Sequence, residues 1–585
     1  MRGNIFFLLL TGIFISGCTG NSHENVLIPL PSTPQLRWQN YGKTMFVCLD
    51  PCTWQGREYD NHSTPLDRIN PAALNTDQWC EAAELWGAKL ILFVAKHTGG
   101  FCWWQTNTTD YGIKNTPWRG GEGDVLKDLS ESCRRYGLDL GIYVYPGDET
   151  WGAGIGSGGV TKDPEKQEGY NRVFRQQMTE VLTRYGPVSE VWFDGSCHID
   201  VNDILEKYAS DAVILQGPMA NLRWVGNESG YAPFSNWYTL SSKDLETGVA
   251  TAIQSDPFGD AYAPVEIDVP LLKNKGHKWF WAPGTDHLIL TTDQLMDIYY
   301  KSVGRGAVLL LNSTPDTTGL IPQSHILAYK AFGEEIKRRF DNPLKKTSGK
   351  GRSLDMKFSQ PVKINHVILQ EELAKGQRIL AFIIEGLDSN DNWILLYEGT
   401  SVGSMKICYF DQVPLRRIRV QFTNVKAEPQ ITNFAVYYIE GVTMPAEKRN
   451  DRDKFYDGIA RRTGTEKEEE LPVEIGTWDN KSSDKQGWNE MSIDLTKFLN
   501  RVGQYEVKFS SSSDVNNACP EFKDWEMEMY GSTIKSTIEL LKDGSTFRIT
   551  RSQQTLDEFP SIFRVKVKSM KDNSSGTITI RMLTY

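Results

Sequence analysis

Apolar runs alternate with helical patterns over the first half of the chain. The runs that read as strands are residues 44–49, 89–95, 139–145, 190–193, 212–216, 264–269 and 306–311. Between them, segments such as 124–136 repeat apolar residues at helical spacing and stop at a glycine. Nearly continuous apolar strands joined by helices predict a parallel sheet that is buried on both faces. We therefore expect a (β/α)8-like barrel over residues 37–340, with an open doubly wound sheet as the alternative.

The pattern of apolar and polar residues changes after residue 340. Short alternating strands with polar turns follow at 362–369, 379–385, 393–397, 416–422 and 433–439, which predicts a β-sandwich over residues 345–445. A charged stretch, 446–472, reads as a linker. A second β-rich module is expected over residues 473–585.

Composition narrows the class of partner. The 585 residues include 17 Trp, 23 Tyr and 25 Phe, so the chain is rich in the flat aromatic faces on which sugars stack. The net charge of −10 argues against a nucleic acid as the main partner. The sequence also lacks HExxH or comparable ligand spacing, and we predict neither a metal nor another cofactor.

The N-terminus has the pattern of a secretory signal. Arg2 precedes an apolar run, 5–15, that is too short to span a bilayer and ends in Ser16-Gly17-Cys18. These residues match a bacterial lipobox, so residues 1–18 are expected to be a lipoprotein signal peptide with Cys18 as the lipidated residue. We expect a protein of the bacterial cell envelope, in the periplasm or at the outer membrane, held by its lipid anchor alone. The other cysteines show neither a disulfide framework nor a zinc array.

Polar and aromatic side chains follow the predicted barrel strands where each strand ends, which is where barrel active sites form. They are Lys96, His97 and Thr98; Tyr143 and Tyr145; Trp192 and Asp194; Gln216; Glu266 and Asp268; and, on the loop 222–228, Arg223 and Glu228. Neighbouring aromatic residues that could stack on a sugar are Trp103, Trp104, Trp224, Trp279 and Trp281. We predict that these strand ends converge on one site.

Paired carboxylates at such a site indicate glycoside hydrolysis. One carboxylate attacks the anomeric carbon or activates water, and the other protonates the departing oxygen. Asp194 suits the first role because Gly195 lets the backbone turn away from it. Glu228, on a glycine-framed loop, and Glu266, on a strand, both suit the second role. Spacing alone does not choose between them.

Five segments together resemble the α-L-fucosidases of glycoside hydrolase family 29, in particular the branch that acts on α-1,3/1,4-linked fucose. They are residues 95–117 (AKHTGGFCWWQTNTTDYGIKNTP), 123–143 (GDVLKDLSESCRRYGLDLGIY), 190–195 (EVWFDG), 222–228 (LRWVGNE) and 307–322 (AVLLLNSTPDTTGLIP). The resemblance covers the barrel. The sandwich resembles a discoidin-type carbohydrate-binding module, which is a weaker match.

The resemblance implies a retaining enzyme with Asp194 as nucleophile and Glu228 as acid/base, acting on a fucosylated oligosaccharide or glycoconjugate. It also implies that His97, Tyr143 and Trp192 contact the sugar. Glu58 and Tyr59 fall where the family often has a Glu-Trp pair, so Glu58 is expected to bind the sugar too. The full predicted substrate-binding set is His97, Tyr143, Trp192, Trp104, Glu58, Arg223, Glu266 and Trp281. The chain departs from the family at Thr98 and Cys48, where histidines are common. These changes remove hydrogen-bonding partners for sugar hydroxyls and leave the reactive carboxylates in place, so they bear on which sugar is bound and not on the reaction.

Two other functions remain open from sequence. One is a retaining glycosidase for a related sugar, such as an α-L-galactoside, and the other is a glycan-binding lipoprotein without catalysis. The sequence leaves the oligomeric state open.

Overall fold

The computed structural model describes residues 28–273, 279–442 and 445. Further on it describes the segments 473–479, 488–495, 503–511, 520–529, 532–534, 538–551, 562–568 and 575–583. The predicted signal peptide, Cys18 and the predicted linker 446–472 lie outside the described residues. Within the described part of the chain, no helix combines the length and apolar character that a membrane span requires.

An eight-stranded parallel sheet forms the N-terminal domain. In chain order the first ten strands are β1 (Lys43–Val47), β2 (Leu90–Lys96), β3 (Asp139–Val144), β4 (Glu190–Trp192), β5 (Val213–Leu215), β6 (Arg223–Trp224), β7 (Thr239–Leu240), β8 (Ala261–Tyr262), β9 (Val265–Val269) and β10 (Val308–Ser313). The sheet order is β5-β4-β3-β2-β1-β10-β9-β6, and β7 pairs only with β8. A bridge between Leu215 and Leu222 joins the two edges of the sheet. The predicted (β/α)8-like barrel is therefore confirmed.

Helices surround this sheet: α1 (Thr33–Gln39), α2 (Cys52–Gln55), α3 (Thr76–Trp86), α4 (Val125–Tyr136), α5 (Pro164–Thr183), α6 (Asn202–Tyr208), α7 (Ser242–Leu245), α8 (Thr292–Lys301) and α9 (Gln323–Phe340). Local chemistry sets their ends. The Asp124 side chain caps α4 by accepting a hydrogen bond from the Lys127 backbone N–H, and Gly137 ends the helix in the left-handed conformation.

Strand alternation divides the barrel residues between two cores. On β4, Val191 points outward into the apolar layer under the helices, whereas Trp192 points into the barrel lumen. The lumen is filled by side chains such as Phe46, Leu92, Tyr143 and Leu310. Functional side chains can therefore project only at the ends of the barrel.

The sequence placed seven of the eight barrel strands within two residues of their observed ends. The exception is β6, which the sequence assigned to a loop. Two residues are too few to show an alternating pattern, so this strand gives no periodic signal.

The strands beyond the barrel form antiparallel sheets. The first has six strands, β11 (Lys345–Lys350), β12 (Ser353–Glu371), β13 (Ile379–Leu387), β14 (Trp393–Gly399), β15 (Lys406–Val425) and β16 (Gln430–Tyr437). Register shifts interrupt the long pairing of β12 with β15, and side chains from β12, β13, β15 and β16 meet in one core. The sheet joins the barrel through buried contacts, among them a 2.6 Å hydrogen bond from Lys406 Nζ to the Phe234 carbonyl.

The C-terminal strands are β17 (Val473–Asp479), β18 (Trp488–Asp494), β19 (Gly503–Ser511), β20 (Glu521–Met529), β21 (Ser532–Ile534), β22 (Ile538–Leu540), β23 (Thr546–Arg551), β24 (Ile562–Lys568) and β25 (Ser575–Leu583). They form a five-stranded sheet, β17-β25-β19-β23-β22, and a four-stranded sheet, β18-β24-β20-β21. Buried side chains of both sheets share one apolar cluster. β-Rich modules after the barrel are thus confirmed.

Candidate active site

A cavity of about 220 Å³ opens at the carboxyl ends of the barrel strands. Its lining residues are Phe46, Cys48, Glu58, Tyr59, Val94, His97, Tyr143, Trp192, Asp194, Gly195, Gln216, Trp224, Glu228, Asp268, Trp279 and Phe280. Typical ligand pockets measure about 300 to 1000 Å³, so this cavity suits one sugar ring better than a chain.

Asp194 faces this cavity because of strand alternation and a turn. Glu190, Trp192 and Asp194 are two residues apart along β4 and its extension, so all three point inward. Gly195 follows with φ of +86°, a conformation that residues with a Cβ rarely adopt. Its backbone N–H donates to Gln216 Oε1 at 2.6 Å, which fixes the turn.

The Asp194 carboxylate is held by one strong contact inside a poorly solvated pocket. The Tyr143 hydroxyl donates to Asp194 Oδ2 at 3.0 Å. Burial raises the pKa of Asp194 above its usual value, the bond from Tyr143 lowers it, and the charge of Glu228 raises it again. Asp194 is thus a buried carboxyl group that lines the cavity and is held by the Tyr143 hydroxyl.

Glu228 lies on the loop after β6, where Gly226 adopts a φ of +91°. It lines the same cavity as Asp194, and its charge acts on Asp194 and on Asp268. Burial, together with these neighbouring charges, raises the pKa of Asp268 to about 7. The structure therefore brings two carboxyl groups, Asp194 and Glu228, into one cavity of monosaccharide size. Such a pair can perform nucleophilic attack and proton transfer on an acetal.

Three further predicted residues line the cavity. His97 is buried, which lowers its pKa to about 4, so the imidazole is neutral near pH 7 and can both donate and accept hydrogen bonds. Its ring stacks on Tyr59 with centroids 6.2 Å apart. Glu58 Oε2 accepts a 3.1 Å hydrogen bond from the Trp279 backbone N–H. Trp192 stacks on Tyr143 at 5.5 Å and forms part of the cavity floor.

The other four predicted binding residues do not line the cavity. Trp104 is fully buried outside the barrel, where its Nε1–H donates to Glu180 on α5 at 2.9 Å. Arg223 is fully buried too, and its guanidinium donates to the carbonyls of Trp237 and Ala263 and to the Ser255 hydroxyl. The predictions for Trp104 and Arg223 as sugar ligands are wrong, because both side chains hold elements of the fold together.

Glu266 also needs correction, whereas the prediction for Trp281 stays a prediction. Glu266 is fully buried beneath the cavity, where its Oε2 accepts a 2.7 Å hydrogen bond from Trp192 Nε1, so it does not reach a sugar. Trp281 is half-buried and lies outside the cavity lining, which instead contains Trp279 and Phe280. Of the two candidates for the acid role, Glu228 is the one with access to the cavity.

Several lining residues were absent from the predicted set. Cys48, Gln216 and Asp268 stand at strand ends that the sequence already marked, so the same rule could have included them. Trp224 lies on β6, which the sequence assigned to a loop, and Trp279 lies ten residues beyond β9, so both were predicted only as aromatic neighbours. Phe46 shares the inward face of β1 with Cys48, and alternation could have found it. Phe280 follows no strand of the barrel and carries no such signal.

One group among the described residues has potential metal ligands close together. Ligand atoms of Asp50, Cys52 and His97 lie within 4.8 Å of one another. Asp50 Oδ2 already accepts a hydrogen bond from Cys52 Sγ at 3.0 Å, and His97 Nδ1 lies 3.9 Å from the same oxygen. The contacts themselves account for this grouping, and acetal cleavage by two carboxyl groups requires no metal.

Tyr143→Phe is expected to move the acid limb of kcat/KM to higher pH. The lost hydroxyl stabilises ionised Asp194, so its removal raises the pKa of Asp194 beyond the rise that burial already causes. Asp194 must be ionised to attack, and activity is lost as pH falls through that pKa. A charge-assisted hydrogen bond is worth about 1.5 kcal/mol, which corresponds to a shift of about one pH unit.

The pH profile of aryl glycoside hydrolysis measures this shift. Tyr145→Phe is the matched control, because the Tyr145 hydroxyl accepts from the Gly156 backbone N–H and does not bond Asp194. An acid limb that stays in place in Tyr143→Phe, or moves equally in both variants, would contradict the assignment.

Comparison with known proteins agrees with this geometry. Residues 38–339 match the family model of the alpha-L-fucosidases. Alpha-L-fucosidase 1 of Arabidopsis thaliana is 28% identical over 487 residues, which cover 74% of this chain and 93% of the plant protein.

Solved structures show the same fold. A Bacteroides thetaiotaomicron protein solved as a candidate alpha-L-fucosidase is 33% identical, with a TM-score of 0.67, and the match covers 71% of this chain and 100% of that one. A Ruminococcus gnavus fucosidase of glycoside hydrolase family 29, solved with fucose, is 24% identical with a TM-score of 0.63, covering 72% of this chain and 97% of that one. With the family model spanning the barrel and the paired carboxyl groups at its mouth, the chain belongs to the alpha-L-fucosidase family and is a glycoside hydrolase.

Proposed function

We propose that the protein removes terminal α-L-fucosyl groups, in α-1,3 or α-1,4 linkage, from oligosaccharides or glycoconjugates with retention of anomeric configuration. The observation that carries the proposal is the pairing of Asp194 and Glu228 in a single-ring cavity. A cavity of this size admits a terminal sugar and excludes internal residues of a chain.

The first step forms a glycosyl-enzyme. An Asp194 carboxylate oxygen attacks the anomeric carbon while the glycosidic C–O bond breaks, and Glu228 gives its proton to the departing oxygen. In the second step, Glu228 takes a proton from water as the water oxygen attacks the same carbon. The bond between that carbon and Asp194 breaks as the bond to the water oxygen forms, which releases fucose and restores both carboxyl groups to their starting forms.

The cavity lining supports a neutral 6-deoxy sugar. Phe46, Trp279 and Phe280 supply apolar surface for a methyl group such as C6 of fucose, and His97 supplies neutral hydrogen-bonding groups. The carboxyl groups in the cavity disfavour an anionic sugar and favour the positive charge that develops in an oxocarbenium-like transition state.

A substrate panel tests the proposal. We expect hydrolysis of an aryl α-L-fucoside and of a branched Lewis-type oligosaccharide, with NMR showing the α-anomer of fucose as the first product. An aryl α-L-galactoside adds one hydroxyl, which an apolar wall rejects by about 100-fold at most in kcat/KM. Preference for the galactoside would overturn the sugar assignment and leave the hydrolase intact. First release of the β-anomer would overturn retention, and binding without hydrolysis of any substrate would indicate a lectin.

We also propose that the protein is a lipoprotein of the bacterial cell envelope, anchored through Cys18. The support is the apolar run 5–15 followed by Ser16-Gly17-Cys18. In a bacterial host, Cys18→Ala should move the protein from the detergent phase to the aqueous phase on Triton X-114 partitioning. An unchanged detergent fraction would contradict lipidation at this residue.

A further inference from the structure

Two buried carboxyl groups face each other inside the barrel, beneath the cavity floor. Glu190 lies on β4 and Glu266 on β9, and both side chains are 0% exposed. Neither lines the cavity. Buried acids without a role in fold or function are rare, because desolvation of a charged carboxylate is costly.

Each carboxyl group is anchored to a tryptophan by one oxygen. Trp38 Nε1 donates to Glu190 Oε2 at 3.0 Å, and Trp192 Nε1 donates to Glu266 Oε2 at 2.7 Å. The Oε1 atoms of both glutamates are buried without a hydrogen-bond donor. The two carboxyl groups also lie within hydrogen-bonding distance of each other. A single proton between them would satisfy both orphaned oxygens.

The surroundings favour retention of that proton. The register neighbours of the pair on the flanking strands carry no ionisable side chain; they are Gly141, Val213, Val308 and Trp224. A further ionisable group that acts on Glu266 is Asp268, which is also acidic. Burial raises the pKa of Glu190 and of Glu266, and the charge of Glu190 raises that of Glu266 further. Two carboxylates in such a site do not both ionise at neutral pH.

Gly141 makes room for the pair. It is the register partner of Glu190 on β3. A Cβ at position 141 would lie 3.3 Å from Glu190 Cβ and 2.9 Å from Leu92 Cδ1. The φ angle of Gly141 is one that any residue can adopt. We therefore attribute the glycine to the lack of room for a side chain inside the lumen.

We propose that Glu190 and Glu266 share one proton in the folded protein, and that this acid pair is a positioning device that fixes the Trp192 indole beneath the sugar. Trp192 stacks on Tyr143, whose hydroxyl bonds the Asp194 carboxylate. The pair thus supports the reacting carboxylate through two aromatic side chains. The proposal goes beyond the proposed function, since a shared proton and a fixed indole do not depend on which sugar is bound.

Infrared difference spectroscopy tests the shared proton directly. Glu190→Gln and Glu266→Gln are isosteric, and each leaves one carboxylate beside an amide that can donate to it. Each variant should lose one protonated-carboxyl C=O band at neutral pH relative to the native protein. Glu371→Gln is the control, because Glu371 is a buried acid of the six-stranded sheet with a pKa near 7 and has no contact with Trp192. It should lose acid absorption without affecting catalysis.

The pH dependence of stability provides a second measurement. The folded pair keeps a proton that the unfolded glutamates release above about pH 4.3, so the pair's contribution to stability declines as pH rises above that value. The slope of the unfolding free energy against pH depends on how many more protons the folded state binds than the unfolded state. In either Gln variant this number should fall by about one. Thermal unfolding from about pH 5 to pH 8 measures the slope.

Catalysis reports the positioning role. Once the native pair loses its proton at alkaline pH, two like charges repel and the Trp192 anchor shifts. We expect KM of the native enzyme to rise several-fold as the pair loses its proton at alkaline pH, with a smaller change in kcat, whereas both Gln variants lack this rise. Unchanged acid absorption and stability slope in both variants would overturn the shared proton. A KM rise that persists in both would overturn the positioning role. Neither reading depends on the retaining mechanism.

Discussion

Asp194→Asn is expected to lower kcat by about 10⁴-fold or more while sugar binding changes little. The amide has the same shape and its oxygen can still accept the hydrogen bond that the Tyr143 hydroxyl donates to Asp194 Oδ2. It is, however, a poor nucleophile and carries no negative charge to stabilise an oxocarbenium-like transition state. The loss therefore falls on the chemical step. Initial rates with an aryl α-L-fucoside and calorimetric titration with fucose separate turnover from affinity.

Asp268→Asn is the matched control for this variant. Asp268 is a second buried carboxyl group that lines the same cavity, and its pKa is also raised, to about 7. Because its carboxylate accepts a hydrogen bond from Trp224 Nε1 and is assigned no bond-making role, its amide should retain within about 100-fold of native turnover. Equal losses in both variants would mean that cavity charge, rather than nucleophilic attack, explains the effect. Native turnover in Asp194→Asn would remove Asp194 from the mechanism.

The sequence placed Asp194 and His97 in the cavity because a simple rule governs their position. In a parallel barrel the strand ends share one rim, so a polar residue directly after an apolar strand is placed by topology alone. Asp194 follows β4 and His97 follows β2, and both line the cavity. The rule depends only on recognising strands, and the long apolar runs made that recognition secure.

The same rule fails away from strand ends. Trp104 follows β2 by eight residues, and its environment is set by Glu180, which is 76 positions away on α5. Arg223 is held by carbonyl groups up to 40 positions away along the chain. Neither residue type nor local spacing reveals contacts at such separations. An aromatic or cationic side chain near a site can therefore belong to the scaffold, and only the packed structure shows which.

Glu266 shows a different limit. It is a candidate for the acid role because it is a carboxyl group on an inward-facing strand position, between Val265 and Ile267, which face the outer core. Alternation predicted its direction correctly but not its depth in the barrel. It lies in the layer below Asp268, and the indole of Trp192 covers it. Depth is set by strand tilt and register, which a single sequence does not encode locally.

Glu228→Ala should lower the rate of hydrolysis of a glycan linkage by about 10³-fold. For an aryl fucoside with an acidic phenol, formation of the glycosyl-enzyme should slow by much less. A sugar hydroxyl leaves poorly without a proton, whereas an acidic phenolate leaves unaided, so only the glycan depends fully on the acid. The second step needs Glu228 as a base for water, and the glycosyl-enzyme should accumulate and give a burst of phenol. Stopped-flow release of the phenol measures the burst.

Azide provides the decisive control for Glu228→Ala, because it attacks the glycosyl-enzyme without a general base. It enters from the face that the leaving group vacated, so the expected product is α-L-fucosyl azide, with restored turnover of the aryl substrate. Glu58→Ala removes another cavity carboxylate that accepts from a backbone N–H, and azide should not accelerate that variant. Rescue of both variants, or of neither, would contradict Glu228 as the acid/base. If azide rescues Glu228→Ala but gives the β-azide, the covalent intermediate on Asp194 is excluded, because a second inversion at the anomeric carbon is what restores the original configuration.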